Sequence, residues 1–305
     1  MSRREPAAPP SRMAPPVPLA APRRARGMAL MVLATLCFTA NVLLIRELGR
    51  FLDVSVWLLT SVRFLVGLAF LGVCYRRDFQ PAHLFRNRKL VERGAVGAVG
   101  VYVAYVAYVH LGAGRTTFIN STYIFWAALL AAWIFHERLR TITIAGSIAA
   151  LIGVALLTDV FAHGSRFNVY DLFAVLSALT SAIVAITIRQ LHATEHTSTI
   201  FGAQCVYGLL LCGPCAMLHL QSLSAGAWGL LLLASACASA GQLAMTRAFR
   251  ELTVADGCLM QMLSPIATTL GGALFFSEQL TVRELTGAVL ILTGTASAAF
   301  RRQDL

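Results

Sequence analysis

The sequence predicts an all-α integral membrane protein with ten transmembrane helices, arranged as two inverted five-helix repeats. The prediction follows from the composition, a series of apolar segments and an internal duplication. The chain of 305 residues is 57% apolar and 13% charged, whereas about a quarter of the residues of a soluble domain are charged. A net charge of +11 could indicate nucleic acid binding, but the basic residues lie between the apolar segments. We therefore expect no nucleic acid partner.

The N-terminal stretch, residues 1–27, has a different composition. It contains seven of the ten prolines and six arginines, and it has no apolar run long enough for a signal-peptide core. We interpret it as a disordered, basic, cytosolic tail. Such a tail is either a solvated leader or a contact for lipid headgroups or a partner.

From Met28 onward the chain contains ten hydrophobic segments, each close to the ~20 residues that cross the hydrocarbon core. They lie at about 28–45, 56–75, 94–111, 117–135, 143–158, 171–188, 198–219, 226–246, 254–276 and 283–300. If the N-terminus is cytosolic, the inner loops and termini carry 19 basic residues and the outer loops carry 5. This asymmetry predicts that both termini are cytosolic, in a multi-pass protein of the inner or plasma membrane.

The duplication relates residues 132–153 to residues 273–294, with 7 identities in 22 ungapped positions. The shared motif consists of Glu137, Gly146 and Gly153 in the first copy and of Glu278, Gly287 and Gly294 in the second, each pair offset by 141 residues. We assign the repeats to residues 28–158 and 171–300. Because each repeat has five helices, the second must enter the membrane from the opposite side, which is the arrangement used for alternating access.

The repeated residues have structural interpretations. Each glutamate follows a predicted helix, where it can cap the next helix or pair with an arginine; a role in proton coupling is the alternative. The glycines of each pair are seven residues apart and lie on one helical face, which predicts close helix packing. Small residues on the fifth and tenth helices also suit a homodimer contact.

The repeat, with its glutamate, leucine and two glycines, resembles the EamA-type repeat of the drug/metabolite transporter superfamily. Further similarities are the run 37–41 before Arg46, Arg63 in the second segment, and Ser264 with Pro265. The resemblance covers about residues 28–300. It implies an exporter or importer of small metabolites with a central cavity lined by helices 1 to 4 and 6 to 9, and with helices 5 and 10 at the periphery. The first copy departs from the pattern, with Ile124 in place of Pro265.

Arg63 is the strong charge within a predicted membrane span. A cation there is costly, so we expect it to face the protein interior or a water-filled cavity. It either binds a substrate carboxylate or phosphate, or pairs with a loop carboxylate or helix-end carbonyls. Its counterpart 141 residues later is Gln204, so the charge is not duplicated.

Neutral polar and aromatic residues cluster in the third, fourth, eighth and ninth segments, where each unpaired polar group is costly in hydrocarbon. They either form hydrogen bonds between helices or line a substrate cavity. We predict substrate contacts by Arg63, Asn120, Tyr123, Gln242 and Gln261, with Tyr105 and Trp126 shaping the cavity.

Several classes of chemistry lack a sequence signal. Asp171 and Asp256 lie at predicted helix starts, so a mid-membrane carboxylate relay is not evident, and exchange, facilitated diffusion and coupling through His110 remain alternatives. The sequence contains no Walker loop, zinc-ligand spacing or nucleophile elbow. We therefore expect no enzyme activity, cofactor or metal.

Three functions are compatible with these observations. The first is a secondary transporter of small organic metabolites, with amino acids or related polar compounds implied by the family resemblance. The second is a thiol–disulfide carrier using Cys212 and Cys215, although their motif lies inside an apolar segment. The third is a lipid-carrier flippase or a non-transporting membrane partner. The inverted duplication favours the transporter.

Overall fold

The computed structural model describes residues 21–135, 141–157, 168–276 and 281–299, and within these ranges the chain is helical and contains no strand. The α-helices are α1 (Ala21–Arg46), α2 (Val56–Cys74), α3 (His83–Arg86), α4 (Arg88–Leu111), α5 (Ala113–Ser121), α6 (Tyr123–Phe135), α7 (Thr141–Leu157), α8 (Val169–Leu191), α9 (Thr197–Leu218), α10 (Ala225–Ala248), α11 (Val254–Met260), α12 (Leu263–Phe276) and α13 (Val282–Ala299). A π-helical turn, Glu47–Phe51, follows α1.

Seven helical stretches of the described chain are long and apolar enough to cross a membrane. Six of them correspond to α1, α2, α4, α8, α9 and α10, and the seventh combines α5 and α6. The fifth, ninth and tenth predicted segments fall on the short α7, on the pair α11 and α12, and on α13. The complete ten-helix topology therefore stays a prediction.

The first helix begins earlier than the composition indicates. Residues 21–27, which the composition assigns to the tail, form the first turns of α1. Arg24 lies within these turns, and its Nη2 atom is 3.8 Å from Oδ2 of Asp256 on α11. The start of α1 is thus attached to the second half of the chain.

The ninth predicted segment is interrupted between α11 and α12. Pro265 has no backbone N–H, and its ring is incompatible with a helical carbonyl four residues earlier, at Gln261. The amide of Met262 accordingly bonds the carbonyl of Leu259, at 3.1 Å, and the carbonyl of Cys258 loses its helical partner.

The fourth predicted segment is interrupted at the matching position, between α5 and α6, although it contains no proline. Here the hydroxyl of Ser121 donates to the carbonyl of Thr117 at 2.7 Å, and that of Thr122 donates to the carbonyl of Ile119 at 2.8 Å. Such bonds compete with the helical ladder and bend helices. Both copies are therefore interrupted at nearly the same place, and the first copy is interrupted without a proline.

Helices from the two halves of the chain interdigitate. The pairs with the most extensive packing are α1 with α10, α4 with α8 and α9, α2 with α9 and α10, and α7 with α13. Each of these pairs joins one helix of the first half to one of the second. The core of the protein is therefore an interface between the halves.

The glycines of the duplicated motif lie where α7 crosses α13. A Cβ atom on Gly153 would lie 2.5 Å from the carbonyl oxygen of Gly287, and one on Gly294 would collide with the carbonyl oxygen of Gly146. The two helices are thus in backbone contact, which only glycine permits. These small-residue faces of α7 and α13 pack on each other within one chain, and a homodimer contact stays a prediction. The glutamates of the motif lie outside the described residues.

We expect Gly153→Ala to lower the free energy of unfolding by about 1–3 kcal/mol, because the new methyl group forces α7 away from α13. Thermal unfolding of the purified protein in detergent measures this effect. Gly72→Ala on α2 is the matched control, because no atom lies within 4 Å of the position that its new methyl group would take. The control is expected to be neutral or stabilising by up to ~1 kcal/mol. Equal unfolding temperatures of the two variants would contradict the backbone contact.

Candidate functional site

A cavity of about 200 Å³ lies between the two halves of the chain. Side chains of α1, α2, α4, α5 and α6 line one part of it, and α8, α9, α10 and α12 line the other. No described residue of α7 or α13 contributes to the lining, in line with the peripheral place that the family resemblance implies for these helices. The cavity is thus shared by both copies of the repeat.

Most of the residues predicted to contact or shape a substrate site line this cavity. They are Arg63, Tyr105, Asn120, Tyr123, Gln242 and Gln261. Trp126 does not line it, and 44% of its surface is exposed. On α6 the inward face runs through Tyr123 and the fully buried Ala127, so that Trp126 falls outside it. Trp126 therefore does not shape the cavity, contrary to the prediction from the sequence.

Arg63 is buried and held by a short hydrogen-bond chain. Its Nη1 atom donates to the hydroxyl of Tyr105 at 3.0 Å, and this hydroxyl donates to Oδ1 of Asn41 at 3.0 Å. The amide of Asn41 in turn donates to the carbonyl of Ala234 on α10, also at 3.0 Å. The chain connects α2, α4, α1 and α10. Throughout the described ranges, Arg63 forms no ion pair with a carboxylate.

Tyr123 connects the two helix interruptions. Its hydroxyl lies 2.6 Å from Oε1 of Gln261 and 3.2 Å from the carbonyl oxygen of Cys258, which the break between α11 and α12 has left without a helical partner. A side chain of the first half thus satisfies polar groups of the second. Both partners are at the cavity or directly behind it.

Two amides present hydrogen-bonding groups at the cavity. Oδ1 of Asn120 accepts from the hydroxyl of Ser177 on α8 at 3.0 Å, which fixes the orientation of the amide. Gln242 is 5% exposed, and its Nε2 atom has no hydrogen-bond partner among the residues described. Gln242 thus places a buried, unpaired donor at the cavity wall.

A second buried cation, Arg93, was missed from the sequence, where it was counted with the inner loop. Arg93 is fully buried on α4, and its Nη2 atom donates to Oε1 of Gln204 at 2.9 Å. Gln204 also donates to the carbonyl of Gly97 at 3.1 Å. The signal in the sequence is Gly97, one helical turn after Arg93, because a Cβ atom there would collide with Nη1 of Arg93.

Polar contacts join the two halves at both ends of the helices. At one end Arg115 binds Asp171 through two hydrogen bonds of 2.7 and 2.8 Å. At the other end Glu195 accepts from Asn87 at 2.9 Å and lies 3.1 Å from Nδ1 of His83. Both ends are thus tied in the conformation of this structure.

The remaining candidates lie away from the cavity. His110 stacks on Tyr170, with ring centroids 4.1 Å apart, and does not line the cavity. Cys212 and Cys215 are free thiols inside α9, with Pro214 between them. No group of three metal-ligating side chains occurs in the part of the chain that the structure covers.

Apolar helices of membrane-spanning length around a cavity with polar side chains in its lining are typical of a multi-pass membrane transporter. The model of the EamA-like transporter family matches this chain twice, over residues 25–159 and 168–300. The chain belongs to this family.

Known proteins similar to this chain include the pseudopaline exporter CntI of Pseudomonas aeruginosa, from strains UCBPP-PA14 and PAO1. Each is 24% identical over 267 residues, which cover 87% of this chain and 93% of the exporter. A crystal structure of a protein that is 19% identical superposes with a TM-score of 0.74 and covers 90% of this chain and 96% of its own. At this identity the superposition shows the fold alone.

We expect Tyr105→Phe to destabilise the protein by about 1–3 kcal/mol, because Nη1 of Arg63 and Oδ1 of Asn41 both lose their buried partner. Thermal unfolding in detergent measures the loss. Tyr102→Phe is the matched control on the same helix. The ring of Tyr102 stacks on Trp57, and its hydroxyl has no hydrogen bond among the described contacts. Equal effects of the two substitutions would show that the chain from Arg63 to Asn41 adds no stability.

Proposed function

We propose that this protein is a secondary, ATP-independent transporter of small organic metabolites, with amino acids or related polar compounds as substrates. It is not an enzyme in this proposal, and it works by alternating access around the central cavity. The observation that carries the proposal is Arg63, a buried cation at the wall of the cavity that forms no ion pair with a carboxylate in the described chain. An anionic substrate supplies that partner.

The proposed topology is ten membrane helices in two inverted repeats, with both termini in the cytosol. The distribution of basic residues supports the orientation. The helix contacts support the inverted symmetry. If each helix is replaced by its counterpart in the other repeat, the packed pair α1 and α10 becomes the packed pair α8 and α4. In the same way, the pair α2 and α10 becomes the pair α9 and α4. Two further packed pairs, α2 with α9 and α7 with α13, each consist of a helix and its own counterpart.

The proposed binding mode assigns a role to each end of a small polar molecule. Arg63 binds an acidic group, and the Nε2 atom of Gln242 and the amide of Asn120 bind neutral polar groups. Tyr123 and Gln261 close the cavity where the helices are interrupted. The similar exporters of pseudopaline support an organic metabolite as the cargo and export as the direction.

The polar contacts at the two ends are the proposed closing contacts. In alternating access one end must open while the other stays closed. The bidentate pair of Arg115 and Asp171 closes one end, and the contacts of Glu195 close the other. Opening either end requires its contacts to separate.

Counterflow into proteoliposomes tests the proposal, with a pool of labelled metabolites that includes amino acids and organic acids. We expect saturable counterflow of an anionic compound, which Arg63→Ala reduces by at least about tenfold, equivalent to ~1.4 kcal/mol of lost binding. Arg86→Ala is the matched control, because Arg86 is exposed at the end of the short α3. Absence of counterflow for every compound in the pool, or full activity of Arg63→Ala, would refute the proposal.

A further inference from the structure

Arg93 is a second buried charge without a counter-charge. It is fully buried, and only Nη2 of its guanidinium has a hydrogen-bond partner, while Nε and Nη1 have none in the residues that the structure covers. None of the ion pairs in these residues includes Arg93. A buried cation in this state is strongly unfavourable unless an anion compensates it.

The guanidinium of Arg93 lies directly behind the cavity wall. Its Nη1 atom contacts Gly97, and Gly97 and Gln204 both line the cavity. The one hydrogen-bond partner of Arg93 within the described ranges is the side-chain amide of Gln204. The side chain of Gln204 therefore lies between the guanidinium of Arg93 and the cavity.

The charges of Arg63 and Arg93 adjoin the same cavity, because Arg63 lines it and so does Gln204, the hydrogen-bond partner of Arg93. A substrate with a single acidic group compensates one of these charges and leaves the other buried without a partner. A substrate with two acidic groups compensates both, and each group gains charge-assisted hydrogen bonds.

We infer that the substrate of this transporter is a small organic molecule with two acidic groups, such as a dicarboxylate or an acidic amino acid. One acidic group binds Arg63 and the other binds Arg93 after the amide of Gln204 turns aside. This inference rests on the proposed transport function and specifies its substrate class. Arg93 is then a specificity-determining residue for the second acidic group.

The first test compares matched acids and amides on the purified protein in detergent, with glutamate against glutamine and succinate against succinamate as probes. Binding is measured by the ligand-dependent shift of the unfolding temperature. We expect at least one diacid to bind about tenfold more tightly than its monoamide, a difference of ~1.4 kcal/mol. Arg93→Gln removes this preference, whereas the control Arg86→Gln retains it.

A purely structural role of Arg93 predicts a different result. Arg93→Gln then lowers the unfolding temperature without ligand but leaves the ratio of diacid to monoamide affinity as in the wild type. That result, or a wild type that does not prefer either diacid over its amide, overturns the inference.

A second variant, Gln204→Glu, tests the missing counter-charge without removing Arg93. The new carboxylate lies at the position of the Gln204 amide oxygen, 2.9 Å from Nη2 of Arg93, and replaces the second acidic group of the substrate. We expect the unfolding temperature without ligand to rise by about 2–4 °C and the preference for diacids to disappear. If Arg93 is already compensated, the variant buries an additional charge, and a lower unfolding temperature then overturns the inference.

The counterflow assay separates this inference from the proposed function. Counterflow of compounds with a single acidic group, with no preference for diacids, refutes the inference and retains the transporter. Failure of every pooled metabolite to exchange refutes the transporter itself. Counterflow of a diacid that requires both Arg63 and Arg93 supports both.

Discussion

A polar group without a partner is costly in hydrocarbon, and both the helices and the cavity of this protein follow from that constraint. A helix pairs the N–H and C=O groups of its backbone by hydrogen bonds within one segment. Where the helices are interrupted, at Thr122 and at Gln261, side chains take over the freed groups, and Tyr123 does so for the carbonyl of Cys258. Polar side chains therefore gather at the interruptions. The cavity lies beside the same points, because it is there that polar residues can be buried with partners.

The interdigitation of the two halves means that neither half can form this cavity alone. Arg63 and Tyr105 belong to the first half, and the chain of hydrogen bonds that orients them ends on the carbonyl of Ala234 in the second. Likewise, Arg93 of the first half depends on Gln204 of the second. A relative movement of the halves thus changes the surroundings of both cations at once. Because the hydrogen bonds of Arg63 and Arg93 lead to the opposite half of the chain, the duplicated architecture ties the surroundings of both cations to the relative position of the halves.

Much of this arrangement could be predicted, since composition, apolar segments and a repeated motif report the class of protein directly. Arg63 was visible because a charge inside an apolar segment is conspicuous. Arg93 was not, because it follows a run of loop charges and only the spacing to Gly97 distinguishes it. Trp126 was misplaced because a sequence does not specify which face of a helix turns inward. The interruption at Thr122 was missed because the segment contains no proline to signal it.

The crossing of α7 and α13 has a mechanical consequence. Its closest contacts are between backbone atoms, such as the carbonyl of Gly287 against Gly153, and backbone atoms have no rotamers through which a contact can readjust. Tightly packed interfaces of this kind change by rigid displacement or not at all. The crossing can therefore serve as a stiff pivot, so that motion between the halves is concentrated in the cavity helices, whose long polar side chains can rearrange.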